Sequence, residues 1–136
     1  MLIDDEPYIL KSLERLLSSR FDWVIKSHAN PHEALRDAAD NKYDLFLSDY
    51  KMPEMDGVTL LAKIKDLQPL STRLILSGRS DMSALANAIN QAEIYRFIYK
   101  PWDDEYLVTT LKCSLEHRIE MAENKILSDQ IRSRDN

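Results

Sequence analysis

Leu45-Phe46-Leu47-Ser48-Asp49-Tyr50-Lys51-Met52-Pro53-Glu54-Met55-Asp56-Gly57 is a short apolar run that closes on an aspartate and passes into a turn-rich loop. Two other stretches answer to Asp49. Asp4-Asp5-Glu6 follows the apolar Met1-Leu2-Ile3, and Lys100-Pro101 follows the run from Ile94 to Tyr99. An acidic pair, a lone aspartate and a lysine, each at the end of a strand, are the parts of a divalent-metal site that places a phosphoryl group on a carboxylate.

Outward from Asp49, strand-like runs alternate with helical periodicities five times. Met1-Leu2-Ile3 reads as a first strand. Pro7 suits the first turn of a helix that carries Ile9, Leu10, Leu13, Leu16 and Leu17 on one face. Trp23-Val24-Ile25 begins a second strand. Pro31 opens a second helix with Ala34, Leu35, Ala38 and Ala39 inward. Gly57 leads into a third, with Leu60, Leu61, Ile64 and Leu67, stopped by Pro69. Leu74-Ile75-Leu76 is a fourth strand. Ser80 or Asp81 caps a fourth helix through about Gln91, and Asp103 or Asp104 caps a long last helix. Continuous apolar strands suit parallel pairing with both faces covered. Five such units predict an α/β, doubly wound, five-stranded parallel sheet with helices on both faces. Its flavodoxin-like order is 2-1-3-4-5, with ligands beyond the carboxyl ends of strands one and three. Asp4, Asp5 and Asp49 fall at those ends, and Ser77 and Lys100 end strands four and five.

The whole-chain numbers agree with a soluble domain. The chain has 136 residues, 44% hydrophobic and 30% charged, and a net charge of −5. That balance argues against direct nucleic-acid binding. No apolar stretch approaches the roughly 18 residues of a membrane helix, and no signal peptide is visible. A single Cys113 forms no internal disulfide and suits a reducing, cytoplasmic setting.

Three clustered carboxylates repel one another, and a divalent cation relieves that repulsion. All-oxygen ligands favour Mg²⁺, which keeps several waters and accepts a phosphate oxygen at an open position. Ser77 can donate to a phosphate oxygen, and Lys100 can pair with it as a point charge. With two glycines and no Walker-type loop, the chain is not expected to bind ATP, so the phosphoryl donor is another molecule.

Asp4-Asp5-Glu6-Pro7, Ser48-Asp49-Tyr50-Lys51-Met52-Pro53 with Asp56-Gly57, Leu76-Ser77-Gly78 and Tyr99-Lys100-Pro101-Trp102 together resemble the receiver domain of two-component response regulators, of CheY-like fold. The resemblance covers about residues 1–118. It implies that Asp49 takes phosphate from a phospho-histidine of a sensor histidine kinase or histidine phosphotransfer protein. It also implies that Asp5, Asp49 and the Lys51 backbone carbonyl ligate Mg²⁺, with Asp4 acting largely through a water. Ser77 and Phe97 become a switch pair, and the chain catalyses only its own phosphorylation and dephosphorylation. Lys51 and Arg79, each two residues after a rim residue, are expected to tune the lifetime of the phosphorylated state, with the sign open. The wording Tyr95 to Trp102 resembles receivers joined to cyclic-di-GMP phosphodiesterase (HD-GYP) outputs or to hydrogenase-type regulators.

Two features depart from the pattern. Only three residues precede Asp4, against about five or six in an ordinary strand; either the first strand is clipped or the assigned start is late. Second, the last helix outlasts the domain, so 119–136 read as a helical linker toward an output domain in the native chain. Ile119, Ala122 and Ile126 form a narrow stripe that a second copy could cover, with a frayed solvated tail as the plain alternative.

Each feature alone has a blander reading. Strand-end aspartates also cap helices, Lys100-Pro101 could be a simple turn, and Phe97 could be plain core. Cys113 is expected to pack, and His28, His32 and His117 lack ligand spacing. A phosphatase of the same fold, forming a phospho-aspartate, would want an acid-base aspartate where Lys51 stands. A flavin carrier would want a phosphate-cradling first loop, which Asp4-Asp5-Glu6 would repel.

Overall fold

The computed structural model describes residues 1–86 and 89–135; side chains at 82, 89, 121, 122, 125, 126 and 128–135 lie outside the description. Five parallel strands form one sheet in the order β2-β1-β3-β4-β5, as the alternating pattern predicts. The strands are β1 (Leu2–Ile3), β2 (Ser27–His28), β3 (Leu45–Asp49), β4 (Thr72–Gly78) and β5 (Arg96–Lys100). Between them run α1 (Pro7–Arg20), α2 (Pro31–Asp40), α3 (Gly57–Leu67), a 3-10 turn at Arg79–Asp81, α4 (Met82–Ala86) and α5 (Ile89–Ala92); α6 (Asp104–Asp135) closes the chain.

Successive strand residues point to opposite faces, and this sorts the core into two halves. Leu2, Leu47, Leu74, Leu76 and Ile98 pack against Leu10, Leu13 and Leu17 of α1 and Leu107 and Leu111 of α6. Ile3, Phe46 and Ile75 pack against Ala34, Ala38, Leu60, Leu61, Ile64 and Leu85 of the helices on the other face. Burying one leucine-sized side chain contributes roughly 1.5–3 kcal/mol, so these two layers hold the strand ends in fixed register.

Local signals act as chemistry requires. Pro7 and Pro31 occupy first turns, where a missing N–H costs nothing. Asn30 caps α2 by accepting from His32 N and Glu33 N, Asp56 caps α3 by accepting from Thr59 N, and Asp103 caps α6 by accepting from Tyr106 N at 2.9 Å. α5 stops at Ala92, and the next residue, Glu93, sits at φ 48°; this left-handed conformation is a common helix stop.

The second strand differs from expectation. Trp23-Val24-Ile25 is not in the sheet; pairing occurs at Leu2↔Ser27 and Ile3↔His28. β1 is only two residues long, so it offers β2 two partners. Trp23 stacks on Phe21 with centroids 3.9 Å apart, and Val24 is exposed. The β1 edge is extended through Met1, whose α-amino group donates to the Leu45 carbonyl at 2.7 Å and whose carbonyl accepts from Leu47 N. Burial pushes that amino group down to about 5. The fourth helical segment begins with the 3-10 turn Arg79–Asp81 rather than directly after a cap at Ser80 or Asp81. Cys113 is exposed, where packing was expected.

α6 has 32 residues, about 48 Å at 1.5 Å per residue. Its last described anchors on the body are His117, stacked on Tyr95 at 4.5 Å, and Arg118, paired with Asp44 at 3.2 Å. Ile119 and Leu127 beyond them are exposed. The stripe positions Ala122 and Ile126 lie outside the described side chains. Among the described residues no helix is long and apolar enough to cross a membrane.

Candidate functional site

The carboxyl ends of β1, β3, β4 and β5 form one rim. Asp49 is the last residue of β3 and is paired with Leu76. The loop that follows is pinned in three ways. Tyr50 N donates to Leu76 O at 2.9 Å, Gly57 N donates to Tyr50 O at 2.8 Å, and Met52 is buried in the core. Gly57 permits this fold-back: a Cβ there would stand 2.2 Å from the Asp49 carbonyl oxygen. The glycine at this point answers to a close backbone approach, not to a positive φ.

Asp4, Asp5 and Asp49 come together at this rim, with one carboxylate oxygen of each lying within 4.8 Å of the others. Lys100, at the end of β5, bridges the cluster: its Nζ donates to Asp4 Oδ2 at 2.8 Å and lies 3.1 Å from Asp49 Oδ1. Asp4 is fully buried, and its Oδ1 accepts from Glu6 N at 2.9 Å. Both Asp4 oxygens are therefore engaged, while Asp5 is partly exposed.

Burial raises the Asp49 carboxyl, and the Asp4 charge raises it further; Lys100 opposes both, leaving Asp49 at about 6. Burial acts to lower the Lys100 ammonium, but the Asp4 hydrogen bond and the Asp49 charge outweigh it and raise it net. Three hard oxygen donors, one raised towards neutrality by burial and by the Asp4 charge, fit a hard divalent cation with oxygen preference better than a soft metal.

The other residues singled out by sequence sit differently. Ser77 is fully buried, and its Oγ donates to Gly78 O at 2.9 Å. Phe97 is half-buried beside the α2–α5 side of the core and meets Tyr99 edge-on at 6.0 Å. Lys51 and Arg79 are both held by other partners: Lys51 Nζ lies 3.1 Å from Asp81 Oδ1, and the Arg79 guanidinium lies 4.6 Å over the Tyr99 ring. Asp81 and Tyr99 were missed as site neighbours. Tyr99 had a usable signal, since it sits across the β4–β5 ladder from Ser77. Asp81 had none beyond an acidic residue near a helix start. The three histidines are structural: His28 pairs with Asp37, His32 faces Glu54, and His117 stacks on Tyr95.

The family model of the response regulator receiver domain matches residues 1–112. Among curated proteins, the chain is similar to the hydrogenase transcriptional regulatory protein HoxA of Bradyrhizobium diazoefficiens, 32% identical over 82% of this chain and 23% of that one. It is also similar to the transcriptional regulatory protein FixJ of Rhizobium meliloti, 26% identical over 98% of this chain and 64% of that one. Among solved structures, it resembles the signal receiver domain of an HD domain-containing protein from Pseudomonas fluorescens Pf-5, with TM-score 0.82, 39% identity and coverage of 88% of this chain and 94% of that one. The chain spans about a quarter of the length of the first curated relatives it matches.

Proposed function

This chain belongs to the response regulator receiver domain family, and we propose that within it Asp49 is the phosphoryl acceptor of a Mg²⁺-dependent signalling switch. The observation that carries this reading is the Lys100 ammonium, 3.1 Å from Asp49, in a rim where Asp4, Asp5 and Asp49 cluster within 4.8 Å. The donor is a phospho-histidine of a sensor histidine kinase or histidine phosphotransfer protein. The phosphorus–nitrogen bond breaks as a bond forms to an Asp49 carboxylate oxygen, and the electron pair returns to the imidazole, which takes up a proton. At about 6, the Asp49 carboxyl is mainly ionised and nucleophilic at neutral pH.

Asp5, Asp49 and the Lys51 backbone carbonyl would hold Mg²⁺, with Asp4 acting through a water because its oxygens already serve Glu6 N and Lys100. Bound there, Mg²⁺ offsets the negative charge that builds up during transfer. Lys100 neutralises the phosphoryl oxygens from the β5 side. Ser77 would rotate from the Gly78 carbonyl toward the phosphoryl group, which adds roughly −1.5 to −2 charge and strong acceptors. Phe97 would respond in the space beside it, altering the face formed by α4, α5, β5 and α6.

The chain acts as a switch without turnover of an external substrate. Residues 119–136 serve as a helical connector to an output domain in the native chain, a reading supported by relatives that run about four times the matched length. The relatives include a hydrogenase transcriptional regulatory protein and the receiver of an HD domain-containing protein, which supports the Tyr95–Trp102 resemblance at that coarser level. A cytoplasmic location goes with this reading. Acetyl phosphate with Mg²⁺ should add one phosphoryl group by intact mass, and none to Asp49→Ala. Stable phosphate on that variant would refute the assignment.

A further inference from the structure

The loops after β3 and β4 leave the sheet side by side, because Asp49 pairs with Leu76 and Tyr50 N donates to Leu76 O. Across the gap between them, Lys51 Nζ and Asp81 Oδ1 are 3.1 Å apart. The partners are unequal. The Asp81 side chain is 16% exposed although it lies in a surface turn, and the Lys51 side chain is 76% exposed. The Asp81 carboxylate is folded back over Gly78, where an added Cβ would stand 3.5 Å from its Oδ2. The Arg79 guanidinium is occupied over Tyr99. Backbone on both sides of Lys51 is fixed by the Tyr50 hydrogen bonds and the buried Met52. The anion is thus held in place, and the cation is on a flexible four-carbon stem.

Resting on the reading of Asp49 as acceptor, we propose that Asp81 is a positioning residue for phosphoryl transfer, holding Lys51 away from Asp49 until the phosphoryl group arrives. In the unphosphorylated rim, Lys100 lies 3.1 Å from Asp49, and the anion that Lys51 meets is Asp81. Lys51 lies two residues beyond Asp49, at most about 7 Å along the backbone, so its stem reaches either anion. A phosphoryl group adds roughly −1.5 to −2 charge at Asp49, and a charge-assisted contact with its oxygens is stronger than an exposed ion pair. Lys51 then changes partner. Asp81 loses its counter-ion, and the turn Arg79–Asp81, which leads directly into α4, loosens. The coupling is reciprocal by linkage: whatever tightens this turn opposes phosphorylation, and phosphorylation frees the start of α4.

The test compares the full chain with Asp81→Asn, Asp81→Glu, Lys51→Met and the double variant Asp81→Asn/Lys51→Met. Initial phosphorylation rates are taken with acetyl phosphate and Mg²⁺, and amide exchange over 79–86 is followed with and without beryllofluoride. Asp81→Asn should react roughly two- to fivefold faster, the size expected of an exposed ion pair. Asp81→Glu should return to the wild-type rate, and Asp81→Asn should make no difference once Lys51 is Met. Exchange over 79–86 should rise with beryllofluoride in the wild type and be raised already in Asp81→Asn. An Asp81→Asn rate equal to wild type, the same acceleration on the Lys51→Met background, or exchange at 79–86 that ignores beryllofluoride overturns the proposal while leaving Asp49 as acceptor. A wild type that takes up no phosphate overturns the acceptor reading and this proposal with it.

Discussion

Lys100 Nζ and Asp49 Oδ1 lie 3.1 Å apart, joining the ends of two strands separated in the sheet by β4. The same ammonium donates to Asp4, so one cation serves two carboxylates while Asp5 stands alongside. The cluster carries excess negative charge, and this excess is what a metal ion and a phosphoryl group would each act upon.

The metal-free rim should lower stability at neutral pH. Asp49 is raised from 3.8 to about 6, chiefly by burial, so the folded state binds its proton more tightly than the unfolded state. The contribution is most favourable below about pH 4 and is lost as pH rises through about 6. Asp49→Asn, neutral throughout, should therefore stabilise the chain in EDTA at pH 7.5 by up to about 3 kcal/mol. The gain should shrink to about 1 kcal/mol near pH 4.5. Urea unfolding at the two pH values decides it; an equal gain at both would rule out the electrostatic cause.

Mg²⁺ should stabilise the fold through Asp5 more than through Asp4. At ten times its dissociation constant, a ligand specific for the folded state contributes about 1.4 kcal/mol. Asp5→Ala should lose most of this shift in the urea midpoint, and Asp4→Asn should keep a larger part of it. Trp102, two residues past Lys100, provides a fluorescence readout. Equal Mg²⁺ affinity in wild type and Asp5→Ala would contradict the assignment.

Gly57→Ala should destabilise the domain by about 3 kcal/mol, the upper range for overpacking. The added Cβ would meet the Asp49 backbone carbonyl at 2.2 Å and Ile75 Cδ1 at 2.9 Å. Backbone on one side cannot yield as a flexible side chain would. The variant should also take up phosphate more slowly, because relief of the clash moves the loop against Asp49. A midpoint within error of wild type would show that the loop adjusts freely.

The distal half of α6 should mediate self-association. Ile119 and Leu127 are exposed on a helix that has passed its last described anchor on the body at Arg118. The stripe expected from the sequence, Ile119, Ala122 and Ile126, is one that a partner helix can cover. Sedimentation should show concentration-dependent dimers for the full chain and monomers for a version ending at Arg118. Monomers in both cases, with and without beryllofluoride, would show that α6 is not a dimerisation element.

The sheet and its rim could be read from the order of residues along the chain. Apolar runs of strand length, separated by helical periodicities, allow few topologies once crossovers must be right-handed. In a doubly wound sheet the strand-end residues must then share one edge. Asp4, Asp5, Asp49 and Lys100 were legible for that reason: Asp4, Asp49 and Lys100 are each the first charged residue after an apolar run, and Asp5 follows Asp4 directly. Pro7, Pro31 and Asp103 were legible as helix starts because first-turn and capping preferences are local properties of the chain. Where β2 pairs emerges on folding, since the length of β1 limits the partners that Ser27 and His28 can find. The partners of long, exposed cations also emerge on folding. Lys51 and Arg79 are equally near the rim in sequence, yet one is held by Asp81 and the other by the Tyr99 ring. A flexible side chain takes whichever anion or aromatic face folding brings within reach, and no local pattern records that choice.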